Sequence, residues 1–87
     1  MLKITEIART DSSRTFKLEG KLLGPWVDEL RNVTHALDRS EQVGFDLAAV
    51  TFVNAAGAEL LRELIRQGII ITQCSAFVGE LLHAKEP

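Results

Sequence analysis

Cysteine occurs once, at Cys74, which excludes an internal disulfide and any cysteine-built zinc cluster. Basic runs are absent as well. The ten Lys and Arg residues are scattered among twelve acids for a net charge of -2, so the basic patch that nucleic-acid binding needs is missing. No apolar stretch reaches membrane-spanning length, and Met1-Leu2-Lys3-Ile4-Thr5-Glu6 lacks the basic-then-apolar pattern of a leader. A cytoplasmic location is the resulting expectation. No internal repeat or low-complexity segment occurs, and no Gly-x-Gly spacing or P-loop lysine accompanies Gly57, which weakens any nucleotide-site reading.

What is present suits one folded domain over residues 1–87. Hydrophobic content of 46% beside 25% charged residues is ordinary for a globular chain. At 87 residues the core is modest, so the fold is expected to be marginally stable or to lean on a partner. Self-association is one open route.

The central stretch runs from Asp46 to Gly57. Val43, Phe45 and Leu47 alternate before it, while Leu60, Leu61, Leu64 and Ile65 recur at helical spacing after it. The period changes from two to 3.6 across the stretch, which predicts a strand, a connecting loop and a helix. In chain order, Leu2, Ile4 and Ile7 predict a half-buried strand. The polar cluster Thr10 to Ser13 then turns the chain into a second strand through Phe16 and Leu18, completing a hairpin. Gly24-Pro25 opens a helix, supported by Asp28 and Glu29. Its expected apolar stripe is Trp26, Leu30, Val33 and Leu37.

Asp38 to Gln42 connects to the central strand, roughly Val43 to Leu47. The second helix is expected from about Ala56 to Gln67, with Gly57, Leu60, Leu61, Leu64 and Ile65 inward and Glu59, Arg62, Glu63 and Arg66 outward. Gly68 terminates it. Ile69 to Thr72 is a β-branched run expected to be covered on both faces and to pair in parallel, making the sheet mixed. Ser75 is expected to cap a last helix that buries Phe77, Val78, Leu81 and Leu82, followed by a frayed tail from His83 to Pro87.

Chemistry-bearing residues are few. Asp46 reads as a carboxylate that orders the backbone by accepting N-H bonds, with a catalytic role the weaker alternative. Asn54 reads as a helix N-cap, a recognition-loop residue, or both. Gly57 reads as a close-packing glycine. His35 and His83 read as solvated side chains rather than metal ligands, and no Ser-His-Asp arrangement can be argued. Cys74 reads as a small buried hydrophobe. No catalytic residue, metal or cofactor is expected.

The order β-β-α-β-α-β-α, with Phe16-Lys17-Leu18-Glu19-Gly20-Lys21-Leu22 before the first helix and Phe45-Asp46-Leu47-Ala48-Ala49-Val50-Thr51-Phe52-Val53-Asn54-Ala55-Ala56-Gly57 at the centre, resembles the STAS domain family. That family includes bacterial anti-sigma factor antagonists and the cytoplasmic domains of sulfate transporters. The resemblance implies an α/β fold with an N-terminal hairpin and parallel strands in one mixed sheet. It also implies a non-enzymatic module that docks a protein through the loop before the second helix and through that helix. Carried over residue by residue, the docking positions are Asn54, Ala55, Ala56, Gly57, Glu59, Arg62 and Glu63.

Two departures matter. Where the family has Asp-Ser-Ser-Gly or Asp-Ser-Thr-Gly, this sequence has Asn54-Ala55-Ala56-Gly57, so the position of the phosphorylated serine holds Ala55, which has no hydroxyl. The chain also stops where family members continue through another strand and helix, leaving an exposed sheet edge where self-association is plausible. The expected partner is an anti-sigma factor or switch kinase. The alternative is a transporter ATPase, with the chain acting as a small STAS subunit of a lipid-exporting ABC system. A small enzyme or nucleotide-binding protein is the third reading.

Overall fold

The computed structural model describes residues 2–37 and 40–83. The chain runs β1 (Leu2–Arg9), β2 (Ser13–Leu22), α1 (Pro25–His35), β3 (Gln42–Val53), α2 (Ala55–Arg66), β4 (Ile70–Cys74) and α3 (Ala76–His83), the expected order. The strands form one sheet in the order β1-β2-β3-β4. β1 and β2 pair antiparallel, while β2 with β3 and β3 with β4 pair in parallel. The sheet is therefore mixed.

Local chemistry sets the joins. Thr10 Oγ1 accepts from the Ser12 and Ser13 amides at 3.3 and 3.0 Å, closing the hairpin turn. Pro25 opens α1 after Gly24, whose φ is 56°. Gly68, at φ 106°, ends α2 in a Schellman arrangement: its N-H donates to the Ile65 carbonyl at 3.0 Å and the Ile69 N-H to that of Leu64 at 3.0 Å. Ser75 caps α3 as expected, its Oγ accepting from the Val78 amide at 3.2 Å.

One cluster joins buried residues of the strands to residues of all three helices, including Leu30, Leu61 and Val78, so the helices share one face of the sheet. Phe16 and Phe45 meet edge-to-face there, centroids 6.2 Å apart. The opposite face carries Thr5, Lys17 and Asp46, neighbours across β1, β2 and β3, and faces water.

Several expectations are corrected. The central strand does not end at Leu47 but continues to Val53. Its buried positions, Val43, Phe45, Leu47, Val50 and Val53, step by two and then by three because the pairing with β2 shifts register twice. These bulges destroy the period-two signal in its second half. On α1 the buried residues are Val27, Leu30 and Thr34; Trp26 and Leu37 pack only partly against the core. Thr34 can stand in that face because its hydroxyl donates to the Arg31 carbonyl at 2.8 Å.

β4 is an edge strand and is mostly exposed, not covered on both faces; Ile70 is 46% exposed. Cys74 is exposed for the same reason. Ile65, expected inward, is partly open, as is Phe77 at 49%; α3 buries Val78 and Leu82, with Leu81 partly buried. His83 is the last residue of α3, and Ala84 to Pro87 lie outside the described residues, as do Asp38 and Arg39 in the connection to β3.

On the exposed hairpin, Arg14 Nε donates to Glu6 Oε2 at 2.6 Å and the guanidinium lies 5.1 Å from the Phe16 ring centroid. That hydrogen bond, aided by the charges of Arg14 and Arg9, holds the Glu6 carboxyl below the usual glutamate range against the opposing effect of desolvation. A folded-state pKa lowered in this way contributes stability above the unfolded value, lost as pH falls through the lowered one. Glu6→Gln should therefore lower the melting temperature slightly at neutral pH and leave it unchanged in acid, as paired thermal melts would show.

Candidate functional site

β3 passes into α2 through a single residue, Asn54, rather than through the longer loop expected from the sequence. Asn54 Oδ1 accepts from the Gly57 amide at 2.8 Å, the Ala58 amide donates to the Asn54 carbonyl at 2.9 Å, and the Asn54 amide donates to the Leu22 carbonyl at 3.2 Å. Asn54 is thus an N-cap and is also tied to the end of β2. Asn54→Ala should cost about 1 kcal/mol, measurable by urea denaturation.

Gly57 is buried because α2 lies directly on the end of β2. A Cβ at this position would stand 2.8 Å from the Leu22 carbonyl oxygen and 3.0 Å from Leu22 Cγ and Val53 Cγ1. The close-packing reading is therefore the structural one. Asp46 also behaves as expected: its Oδ1 accepts from the Ala48 amide at 2.9 Å, at the first register shift of β3. Thr51 Oγ1 donates to the Gly20 carbonyl at 3.2 Å at the second. Both polar side chains brace the bulges that aim Val53 and Asn54 at the helix.

The seven expected docking residues divide by accessibility. Ala55, Ala56, Glu59 and Glu63 are exposed, Asn54 is half-buried and Gly57 is buried. Glu59 and Glu63 line a shallow cleft between α2 and α1 that also includes Arg31 and His35. Arg62 is corrected: its side chain is only 14% exposed, and its Nη1 donates to the Leu81 carbonyl at 2.9 Å. It ties α3 to α2 instead of standing in solvent.

Sequence reading missed Phe52. It is 42% exposed, two residues before the cap, and points away from the core because Val50 and Val53 point in. The signal was present in the flanking valines but hidden by the bulges. On α2 itself, two exposed alanines in the first turn and the carboxylates of Glu59 and Glu63 form one accessible strip, while Phe52 is exposed on the other face of the sheet.

No set of three or more His, Cys, Asp or Glu side chains able to hold a metal occurs among the described residues. His35 is exposed. No helix among the described residues is long and apolar enough to cross a membrane.

Neither a scan of protein-family models nor a search of curated proteins finds a match. Among solved structures, the chain is similar to an antisigma-factor antagonist, a STAS domain from Rhodobacter sphaeroides. The TM-score is 0.57 at 16% identity, with 84% of this chain and 85% of that one covered. The element order, the mixed sheet and this likeness agree: the chain has the fold of a STAS domain.

Proposed function

We propose that this chain is a regulatory, non-enzymatic protein-docking module of the anti-sigma factor antagonist type, with its docking strip formed by Ala55, Ala56, Glu59 and Glu63. The observation that carries the reading is the start of α2. Asn54 and Gly57 are committed to the fold, whereas Ala55 and Ala56 are presented outward, so a defined shape is offered without a reactive group. Rigid presentation lowers the entropy lost on binding.

In this reading Ala55 stands where related modules carry a phosphorylatable serine, and the module is held in one unmodified state. Control then lies with its partner or its abundance. An anti-sigma factor or switch kinase is the partner class favoured; a transporter ATPase is the alternative. Asn54, Gly57 and Arg62 act through positioning, since each is engaged within the domain.

A photo-crosslinker placed at Ala56 should capture a discrete partner in cells, while the same group at Thr5, on the opposite sheet face, should not. Equal capture from both positions contradicts the proposed strip. Mass spectrometry of the Ala56 adduct separates a sigma-regulatory partner from a transporter ATPase. Ala55→Asp adds a charge at the first turn of α2, which favours the helix by about 0.3–1 kcal/mol while placing a carboxylate in the strip. The expected result is unchanged or raised thermal stability together with lost capture.

A further inference from the structure

The flank of α2 that faces α3 and β4 differs in chemistry from the docking strip. Between these elements lies an open groove of about 600 Å³. Its apolar lining includes Ile65, Ile70, Ile71 and Leu82, and among the described residues its charged lining residues are Arg62 and Arg66. In a chain of net charge -2, acids are the commoner charge, yet none among the described residues lines this groove. The acids of α2, Glu59 and Glu63, line the cleft on the α1 side.

The two arginines are not equivalent. Arg62 is held by the Leu81 carbonyl and approaches Glu59 at 4.0 Å. Arg66 is exposed and has no ion pair among the described residues. Ile65 and Ile70 remain 39% and 46% exposed beside it, and β4 carries no charged residue along Ile70–Cys74. An aliphatic trough with an unpaired guanidinium at its rim is complementary to a helix with an aliphatic stripe flanked by carboxylates.

We propose that this groove is a second docking site, distinct from the strip at Asn54 to Glu63, and that it takes an acidic amphipathic helix of a partner protein. An aliphatic stripe covers Ile65, Ile70 and Ile71, and a glutamate or aspartate pairs with Arg66. Ile65 and Ile70, 39% and 46% exposed along one side of the groove, leave an occupant open to water on that side, as a docked amphipathic helix is. The groove adjoins the docking strip through Arg66, which also borders the cleft of Glu59 and Glu63, but Ile70 and Ile71 line the groove and not that cleft, so Ile70→Ser tests the groove separately.

The test is an NMR titration of the full chain, labelled with nitrogen-15, using two synthetic helical peptides. One carries a leucine stripe flanked by glutamates, and its twin has lysine at each glutamate position. The acidic peptide should shift the amides of Ile65, Ile70, Ile71 and Leu82, and the basic twin should bind at least about tenfold more weakly. Arg66→Glu should weaken the acidic peptide by about tenfold; Ile70→Ser, also at an exposed position, should weaken both peptides. Retained spectral dispersion confirms that each variant is folded. Equal affinity for the two peptides, no binding of either, the same shifts produced by dodecanoate in place of peptide, or groove signals that move on dilution of the chain alone would each overturn the proposal.

Discussion

Gly57→Ala is expected to destabilise the domain by about 2 kcal/mol or more, lowering its melting temperature by roughly 8–16 °C for a domain of this size. The sign is the informative part. In an ordinary helix, glycine is less favourable than alanine by about 1 kcal/mol, so replacing it should help. Here the added methyl would meet the Leu22 carbonyl oxygen at 2.8 Å, and that oxygen accepts the Asn54 amide. Backbone held in a sheet cannot swing aside like a side-chain tip. The alternative is for α2 to lift from β2, which would shift Ala55, Ala56 and Glu59 together and weaken docking as well. Thermal and urea melts check the result; an alanine variant as stable as the parent would refute the tight helix-to-strand contact.

Phe45→Ala is expected to cost about 3–5 kcal/mol. Phe45 is 1% exposed, meets Phe16 edge-on and lies in the first half of β3. A domain of 87 residues typically has about 4–13 kcal/mol of stability in total, so this single truncation removes a large part of it. Phe52→Ala, on the same strand but 42% exposed, should change stability by less than about 1 kcal/mol. The pair thus separates a core phenylalanine from a surface one. Urea denaturation of both variants decides it: similar losses would mean that Phe52 is structural.

The element order was readable because local signals agree with the fold. Gly24-Pro25 opens α1, Asn54 caps α2, Gly68 closes it and Ser75 caps α3. Burial was readable only where the period survived. Val43, Phe45 and Leu47 kept it, but Val50 and Val53 lie beyond register shifts that depend on β2, a partner distant in sequence. Trp26 drew the stripe of α1 toward itself because it is large and apolar, whereas Val27 and Thr34 face the core.

The exposure of Ile70 and Cys74 was not legible either. A β-branched run looks the same in a covered strand and in an edge strand, and coverage is decided by what packs on it. Arg62 was similarly hidden, since its acceptor is a carbonyl on α3, nineteen residues away. Of the docking strip, the small residues, the cap and the acids of α2 could be read from the sequence, but the exposure of Phe52 could not.

The central claim is that the start of α2 and its exposed acids form a docking strip. Its most direct test is affinity capture of partners from the native host lysate with the parent chain and with a Glu59→Arg, Glu63→Arg double variant. Both sites are exposed, and circular dichroism can verify that the variant is folded. The expected result is a folded variant that loses the partner held by the parent chain, because charge reversal at two accessible positions turns attraction into repulsion. A folded variant that captures the same partner in the same amount would contradict the account.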